Sequence, residues 1–140
     1  MRVRDPKLAL ICVIGHFFEH LSTITLPTLG DRVSTGANTV LANCTIAAGV
    51  RIGCNCTIGL PGCGYEVVVG KNAVVIANTM LGGSVNIGAG VWVAPSVSIM
   101  NQATIGAGAT LGLGAVVLKD VAAHQVIVGN PGEVLEKKPR

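Results

Sequence analysis

The chain has 140 residues with a formal net charge of +3, and half of its residues are hydrophobic. This length suits a single domain. The basic residues lie mostly near the two ends, so we expect no nucleic-acid partner, and no apolar stretch approaches the ~18 residues that a transmembrane span needs.

Residues 1–27 are predicted to form a short N-terminal helix and a linker. Asp5 can cap a helix, Pro6 suits its first position, and KLALICVIGHFFEH has helical length. MRVR and the apolar run resemble the start of a signal peptide, but polar residues follow and no clear A-x-A cleavage site is present. His16 and His20 share one helix face, but without a third ligand we expect no metal site.

Residues 28–122 carry a repeat of period six, which neither a helix nor a simple strand has. The repeat predicts an all-β solenoid, with three six-residue sides in a triangular coil of ~18 residues and about five coils stacked ~4.8 Å apart. Glycine often follows the large residue, and we expect positive φ there. Large aliphatic residues, predicted to point inward, lie at Ile46, Ile52 and Ile58, and then at Val69, Val75, Leu81, Ile87, Val93, Ile99, Ile105, Leu111 and Val117.

Two interruptions break the period. The step from Leu41 to Ile46 is one residue short, and the insert GLPGCGYE separates Ile58 from Val69. We expect both irregularities to fall within the solenoid without ending it.

The five cysteines are an odd number and form no recognisable disulfide framework. Cys44 and Cys56 fall at small-residue positions, where cysteine packs as a small hydrophobe. The Cys54-x-Cys56 pair has no histidine nearby, so we expect no metal there. The cysteines indicate a reducing compartment, and we expect a cytoplasmic protein.

Residues 123–140 leave the period and are predicted to form a C-terminal cap. The chain turns at Asn130-Pro131-Gly132, and a short helix is expected after the turn. A solenoid needs such a cap because its last strands otherwise expose unpaired backbone groups.

The stretch from Asn72 to Leu118 contains no Asp, Glu, Lys, Arg or His. An isolated solenoid should carry some charge on its outward positions. We therefore expect partner subunits to cover these faces. Trp92 is interpreted either as an interface anchor or as an incidental surface aromatic.

The repeat, with VVIANTMLGGSVNIGAGVWVAPSVSI, GAVVLKDV and VIVGNPGEVL, resembles the bacterial hexapeptide-repeat acyltransferases. The GGS segment and the TIGLPGCGYE insert are most similar to the UDP-3-O-acylglucosamine N-acyltransferases of lipid A biosynthesis. The resemblance implies a left-handed parallel β-helix, and it implies that residues 1–27 are the remnant of a uridine-binding domain. It also implies a homotrimer with acyl-chain and sugar sites in the grooves between subunits.

The same resemblance implies acyl carrier protein as partner, an acyl-carrier or acyl-CoA thioester as donor, a nucleotide-sugar acceptor, and no bound cofactor. Within the uncharged stretch, we predict that Asn78, Trp92, Met100 and Asn101 contact the substrate.

The sequence departs from that family where the family supplies its catalytic base. An internal block of coils with a His-containing segment is missing after Glu66, and the three histidines are His16, His20 and His124. No catalytic residue is therefore identified, and His124, just beyond the last coil, is the remaining candidate. The zinc-dependent carbonic anhydrases of this fold are disfavoured by the same shortage of histidine.

Three functions remain open from the sequence. The first is N-acyl transfer to a UDP-acylglucosamine, with activity impaired by the missing segment. The second is a sugar O-acetyltransferase that uses acetyl-CoA. The third is a non-catalytic trimeric scaffold derived from such an enzyme.

Overall fold

The computed structural model describes residues 26–59 and 65–136, and all regular elements in these ranges are strands. Most strands have only two residues, because each side of a coil is six residues long and its corner uses the others. The strands are β1 Thr28–Leu29, β2 Ser34–Thr35, β3 Val40–Leu41, β4 Cys44–Ile46, β5 Arg51–Ile52, β6 Thr57–Ile58, β7 Val67–Val69, β8 Val74–Val75, β9 Met80–Leu81, β10 Asn86–Ile87, β11 Trp92–Val93, β12 Ser98–Ile99, β13 Thr104–Ile105, β14 Thr110–Leu111, β15 Val116–Val117, β16 Val126–Val128 and β17 Glu133–Val134.

The strands form three sheets, one for each side of a triangular prism. Sheet A has the order β1-β4-β7-β10-β13, sheet B the order β17-β16-β14-β11-β8-β5-β2, and sheet C the order β15-β12-β9-β6-β3. All neighbours are parallel except β16 and β17. Residues 18 apart are paired in the regular coils, as in Asn86 with Thr104. The predicted left-handed β-helix of about five coils is confirmed.

The core is the column of large aliphatic residues that the period predicts. All nine members from Val69 to Val117 are at most 1% exposed, and Ile46, Ile52 and Ile58 are also buried. Each inward residue pairs in register with its equivalents in the coils above and below, as Ile99 does with Leu81 and Val117. The small residues between them, including Cys44 and Cys56, are buried as well, as predicted.

Most corner glycines are required for a different reason from the one predicted. Gly59, which follows Ile58, has the predicted positive φ of 73°, but no positive φ is found after the later large residues, at Gly70, Gly82, Gly88, Gly106 or Gly112. At Gly88 a Cβ atom would lie 2.6 Å from the backbone nitrogen of Ala107 in the next coil, so close approach excludes a side chain. Positive φ occurs two residues later instead, as at Asn72 and Gly90.

Both interruptions are absorbed at the corner between sheets C and A. The short step is made through Asn43, whose φ is 47°. The insert after Ile58 includes residues 60–64, which lie outside the described ranges, yet Cys44 still pairs with Val67 and Ile46 with Val69. The register of the strands is therefore kept across the insert.

The C-terminal segment covers the edges of the last coil, but by strand pairing and loops. Asp120 Oδ1 accepts the Thr104 N–H at 2.7 Å, and the Gly132 N–H donates to the Val116 carbonyl at 2.8 Å. In place of the expected short helix, Glu133–Val134 forms the antiparallel strand β17 on β16. The exposed edge of β16 offers backbone partners to this segment, and a helix would leave them unpaired.

The predicted N-terminal helix lies outside the described residues. Within residues 26–59 and 65–136, no helix is long and apolar enough to span a membrane.

Candidate functional site

Each sheet presents one outward residue per coil, so the prism has three distinct outer faces, named here A, B and C after their sheets. Face C is uncharged, whereas Arg51 lies on face B and the Glu66 carboxylate lies beside face A, where it accepts a hydrogen bond from the Thr45 hydroxyl. The outward strand residues are Thr28, Thr45, Val68, Asn86 and Thr104 on face A, Ser34, Arg51, Val74, Trp92 and Thr110 on face B, and Val40, Thr57, Met80, Ser98 and Val116 on face C.

A shallow groove of about 250 Å³ lies on face B. Its floor is Val74, which pairs with Arg51 on one side and with Trp92 on the other. Gly53 and Ile76 line the groove towards the corner with face C. The groove therefore combines a cation, an aliphatic floor and an indole in three successive coils.

The charged wall of the groove is exposed and has no carboxylate partner among the described residues. Arg51 is on the surface, and Trp92 is 45% exposed. Two further cations, Arg32 and Lys71, lie at the corner that leads into face B, together with one carboxylate, Asp31. The Arg51 guanidinium is thus available to an anion from outside the chain.

The four residues predicted to bind substrate do not converge within one chain. Trp92 is on face B. Asn78 lies at the corner between faces B and C, and its φ is 58°. Met100 and Asn101 lie at the opposite corner, between faces C and A. One subunit alone therefore brings only Trp92 into the groove.

His124 lies at the top of the corner between faces A and B. Its φ is 61°, its backbone N–H donates to the Ala107 carbonyl at 2.9 Å, and its ring lies over Gly108. The strand after it, β16, is two coils from the Trp92 strand. At the ~4.8 Å spacing of parallel strands, the imidazole is therefore about 10 Å along the axis from the groove.

The buried thiols are poor nucleophiles. Burial, and to a smaller extent the Glu66 carboxylate, raise the pKa of Cys44 from 9.0 to about 12. Burial also raises the pKa of Cys56, although backbone and side-chain hydrogen bonds oppose that rise. Cys54 is a free, exposed thiol. Among the described residues no three His, Cys, Asp or Glu side chains come together in a group able to hold a metal ion.

Arg51 was not predicted from the sequence as a partner of Trp92. Both residues directly precede an inward isoleucine or valine, which is the signal that they face outward. They lie two coils apart, but the insert lengthens one of these coils, so the 18-residue spacing does not relate them.

The sequence matches no protein-family model, and a search of curated proteins returns no significant match. Solved structures do match. The polysialic acid O-acetyltransferase OatWY aligns with a TM-score of 0.62 and 18% identity over 79% of this chain and 64% of its own. AntD, an N-acyltransferase from Bacillus cereus solved with dTDP and 3-hydroxybutyryl-CoA, aligns with a TM-score of 0.59 and 16% identity over 81% of this chain and 78% of its own.

A serine acetyltransferase from Neisseria gonorrhoeae aligns with a TM-score of 0.50 and 25% identity over 77% of this chain. The chain spans only 40% of that enzyme and 64% of OatWY. At these identities the similarity establishes the fold, and the three proteins that share it are acyl- or acetyltransferases.

Proposed function

We propose that the protein is an acyltransferase of the hexapeptide-repeat kind. The observation that carries the proposal is the left-handed β-helix, which the chain shares with an O-acetyltransferase and an N-acyltransferase at TM-scores of 0.62 and 0.59. The groove beside Trp92 supports it further, because it adds a concave surface of mixed polar and apolar character to the prism.

The proposed reaction moves an acyl group from a thioester to an amine or a hydroxyl. The lone pair of the acceptor attacks the thioester carbonyl carbon, and a base takes the proton that the acceptor loses. The C–S bond then breaks, and the sulfur leaves as a thiolate that takes up the proton held by the base. His124 lies just beyond the last coil of the repeat, so we assign it as the candidate base.

Its position implies slow chemistry within one subunit. A base must come within ~3 Å of the attacking atom, or reach it through one water. His124 is about 10 Å along the axis from the groove, at the coil spacing of parallel strands. An acceptor bound against Trp92 therefore needs a base from elsewhere or reacts with reduced assistance.

The specific reaction that we propose is N-acyl transfer to a UDP-acylglucosamine, as in cytoplasmic lipid A biosynthesis, with acyl carrier protein as donor partner. The sequence resemblance supports the acceptor. The capture of 3-hydroxybutyryl-CoA by AntD supports acyl-CoA as a second donor to be tested. The fold of OatWY likewise supports a sugar hydroxyl as an alternative acceptor, with acetyl-CoA as donor.

Assembly is part of the proposal. Met80, Met100 and Leu118 are 46%, 55% and 53% exposed on or beside uncharged face C. Association of subunits is favoured because it would bury these exposed apolar side chains. We expect light scattering to give the mass of a homotrimer at micromolar concentration, and a soluble monomer would contradict the expectation.

Activity is tested with purified protein, each donor in turn, and UDP-acylglucosamine or a sugar acceptor, by measuring the release of free thiol. We expect turnover at least ~100-fold below that of an intact family member, because losing a general base typically costs ~10²–10⁴ in rate. Loss of the remaining activity in His124→Asn would identify His124 as the base, and unchanged activity would show that His124 takes no part in the reaction. Asparagine tolerates a positive φ. Asn72 already occupies the position equivalent to His124 at the same corner, two coils below Gly108, so the substitution should not disturb the fold.

A non-catalytic scaffold is the second candidate function. It is favoured by the lack of any ionisable side chain between Asn72 and Leu118. A folded homotrimer with no turnover on any donor and acceptor pair would support the scaffold and contradict the transferase.

A further inference from the structure

We propose that the groove formed by Arg51, Val74 and Trp92 is a nucleoside phosphate site, in which the base stacks on the indole and the phosphate pairs with the guanidinium. The site deepens the proposed function by placing a ligand class on named residues of face B. It does not depend on acyl transfer, because binding can be measured without a donor or turnover.

The charge of the groove selects an anion. Within the five coils, Arg51 is the one charged outward strand residue of face B, and no carboxylate of the described residues pairs with it. Glu133 lies on the same sheet but on its terminal strand β17, beyond β14 and β16. The carboxylates of Glu66 and Asp120 both act on sheet A, through Thr45 and Thr104. A guanidinium offers a planar fork of donors that matches two phosphate oxygens.

The opposite wall selects a flat ring. Trp92 is 45% exposed although it is the largest side chain on the prism, and its neighbour Val74 is too small to cover it. Stacking of a base on an aromatic side chain typically stabilises binding whatever the base. The apolar floor of Val74 and Ile76 adds contact area without a competing polar group.

The spacing suits both ends of one small ligand. Arg51 and Trp92 are separated by a single strand, so their backbones lie about 9–10 Å apart at the usual strand spacing. A ring resting on the inner side of the indole therefore leaves its phosphate beside the arginine. The groove volume of about 250 Å³ holds a base and one phosphate but not a whole coenzyme.

The chain provides its own reporter for this test. Trp92 is the only tryptophan in the sequence, so intrinsic fluorescence reads out this groove alone. ADP, UDP and coenzyme A are each titrated into the protein at fixed protein concentration. We expect a saturable change with a dissociation constant on the order of 0.1–1 mM, because the groove is smaller than ordinary ligand pockets. Stronger binding of ADP and coenzyme A would point to the donor as the natural source of the nucleotide, and stronger binding of UDP would point to the acceptor.

Matched variants separate the site from general charge attraction. Arg51→Gln should weaken ADP binding at least tenfold, and Arg51→Lys should weaken it less, because lysine keeps the charge but loses the planar fork. Lys119→Gln removes the same charge at the distant corner between faces C and A and should change binding by less than twofold. Thermal unfolding of each variant verifies that it is folded.

Three results would overturn the site. One is fluorescence that stays unchanged with all three ligands at millimolar concentration. The second is an Arg51→Gln variant that loses no more affinity than Lys119→Gln. The third is a Trp92 spectrum that changes on dilution without ligand, because a second copy of the chain would then occupy the groove. Nucleotide binding without acyl transfer would leave this site standing and remove only the proposed activity.

Discussion

Truncation of a single inward side chain, Ile99→Ala, should remove a large part of the stability of the prism. Ile99 is fully buried in the fourth coil, in register with Leu81 below and Val117 above. Buried Ile-to-Ala changes cost 2–5 kcal/mol, and the cost is highest where the surroundings cannot collapse into the cavity. Backbone hydrogen bonds hold the neighbouring coils at a fixed spacing, so we expect about 3–5 kcal/mol.

The matched control is Met80→Ala on the same sheet. Met80 precedes Leu81 but faces outward and is 46% exposed, so its truncation should cost below ~1 kcal/mol. Both variants are unfolded in guanidinium chloride and followed by far-ultraviolet circular dichroism, at one protein concentration because association would add to the apparent stability. With a slope of roughly 4 kcal/mol per molar, the Ile99→Ala midpoint should fall by about 1 M. Equal midpoints for the two variants would refute the assignment of inward and outward positions.

Three more predictions concern the core, the corners and the thiols. Ile99→Asp should leave no folded protein by circular dichroism, because an unpaired buried carboxylate costs several kcal/mol, and a native spectrum would contradict this. Gly88→Ala should lower the denaturant midpoint far more than Gly90→Ala. A Cβ at Gly88 would lie 2.6 Å from a backbone atom, whereas a Cβ at Gly90 has open space and only the φ of 66° opposes it. Similar midpoints for the two variants would contradict the close approach of the next coil at Gly88. The raised pKa of Cys44 contributes stability that is complete below pH 9 and falls as pH rises from 9.0 towards about 12, since the unfolded thiol ionises first. Denaturant midpoints of Cys44→Ala should therefore decline less steeply than those of the parent over this range, and parallel declines would refute the assignment.

The inward column was predictable because its cause is local and periodic. A side of six residues places one large side chain inside per strand, and nine unbroken repeats leave no other phase for Val69 to Val117. The glycines were found by the same count, but the predicted positive φ is present at Gly59 and absent from the later glycines that follow large residues. Proximity of the next coil acts through space, and the sequence position of Gly88 does not reveal how closely Ala107 approaches it.

The C-terminal cap was wrongly predicted to end in a short helix, because the edge that it binds is formed only in the folded protein. The residues after Pro131 have no marked preference that excludes a helix, but β16 presents an unpaired edge that binds Glu133–Val134 as a strand. Such an edge exists only after the coils have stacked. Local propensity is a weak guide where tertiary hydrogen bonds compete with it.

The groove could not be predicted from the sequence, because residues are assigned to one face only by counting whole coils. The residue directly before each inward residue faces outward, and this rule correctly identifies Trp92 as a surface residue. Asn78, Met100 and Asn101 also lie towards the surface, yet they occupy two different corners. Assigning Arg51 to the same face as Trp92 requires knowing that the insert after Ile58 leaves the register of β7 unchanged.

That preserved register makes the molecule extendable in units of one coil. Residues 68–85 form a complete coil whose first residue pairs with Asn86 in the next one. Tandem duplication of this segment should lengthen the prism by about 4.8 Å, add one more valine to the groove floor, and move Trp92 one strand further from Arg51. The fold thus provides an adjustable ruler, on which the distance between a cation and an aromatic ring can be set in steps of one strand by the number of coils between them.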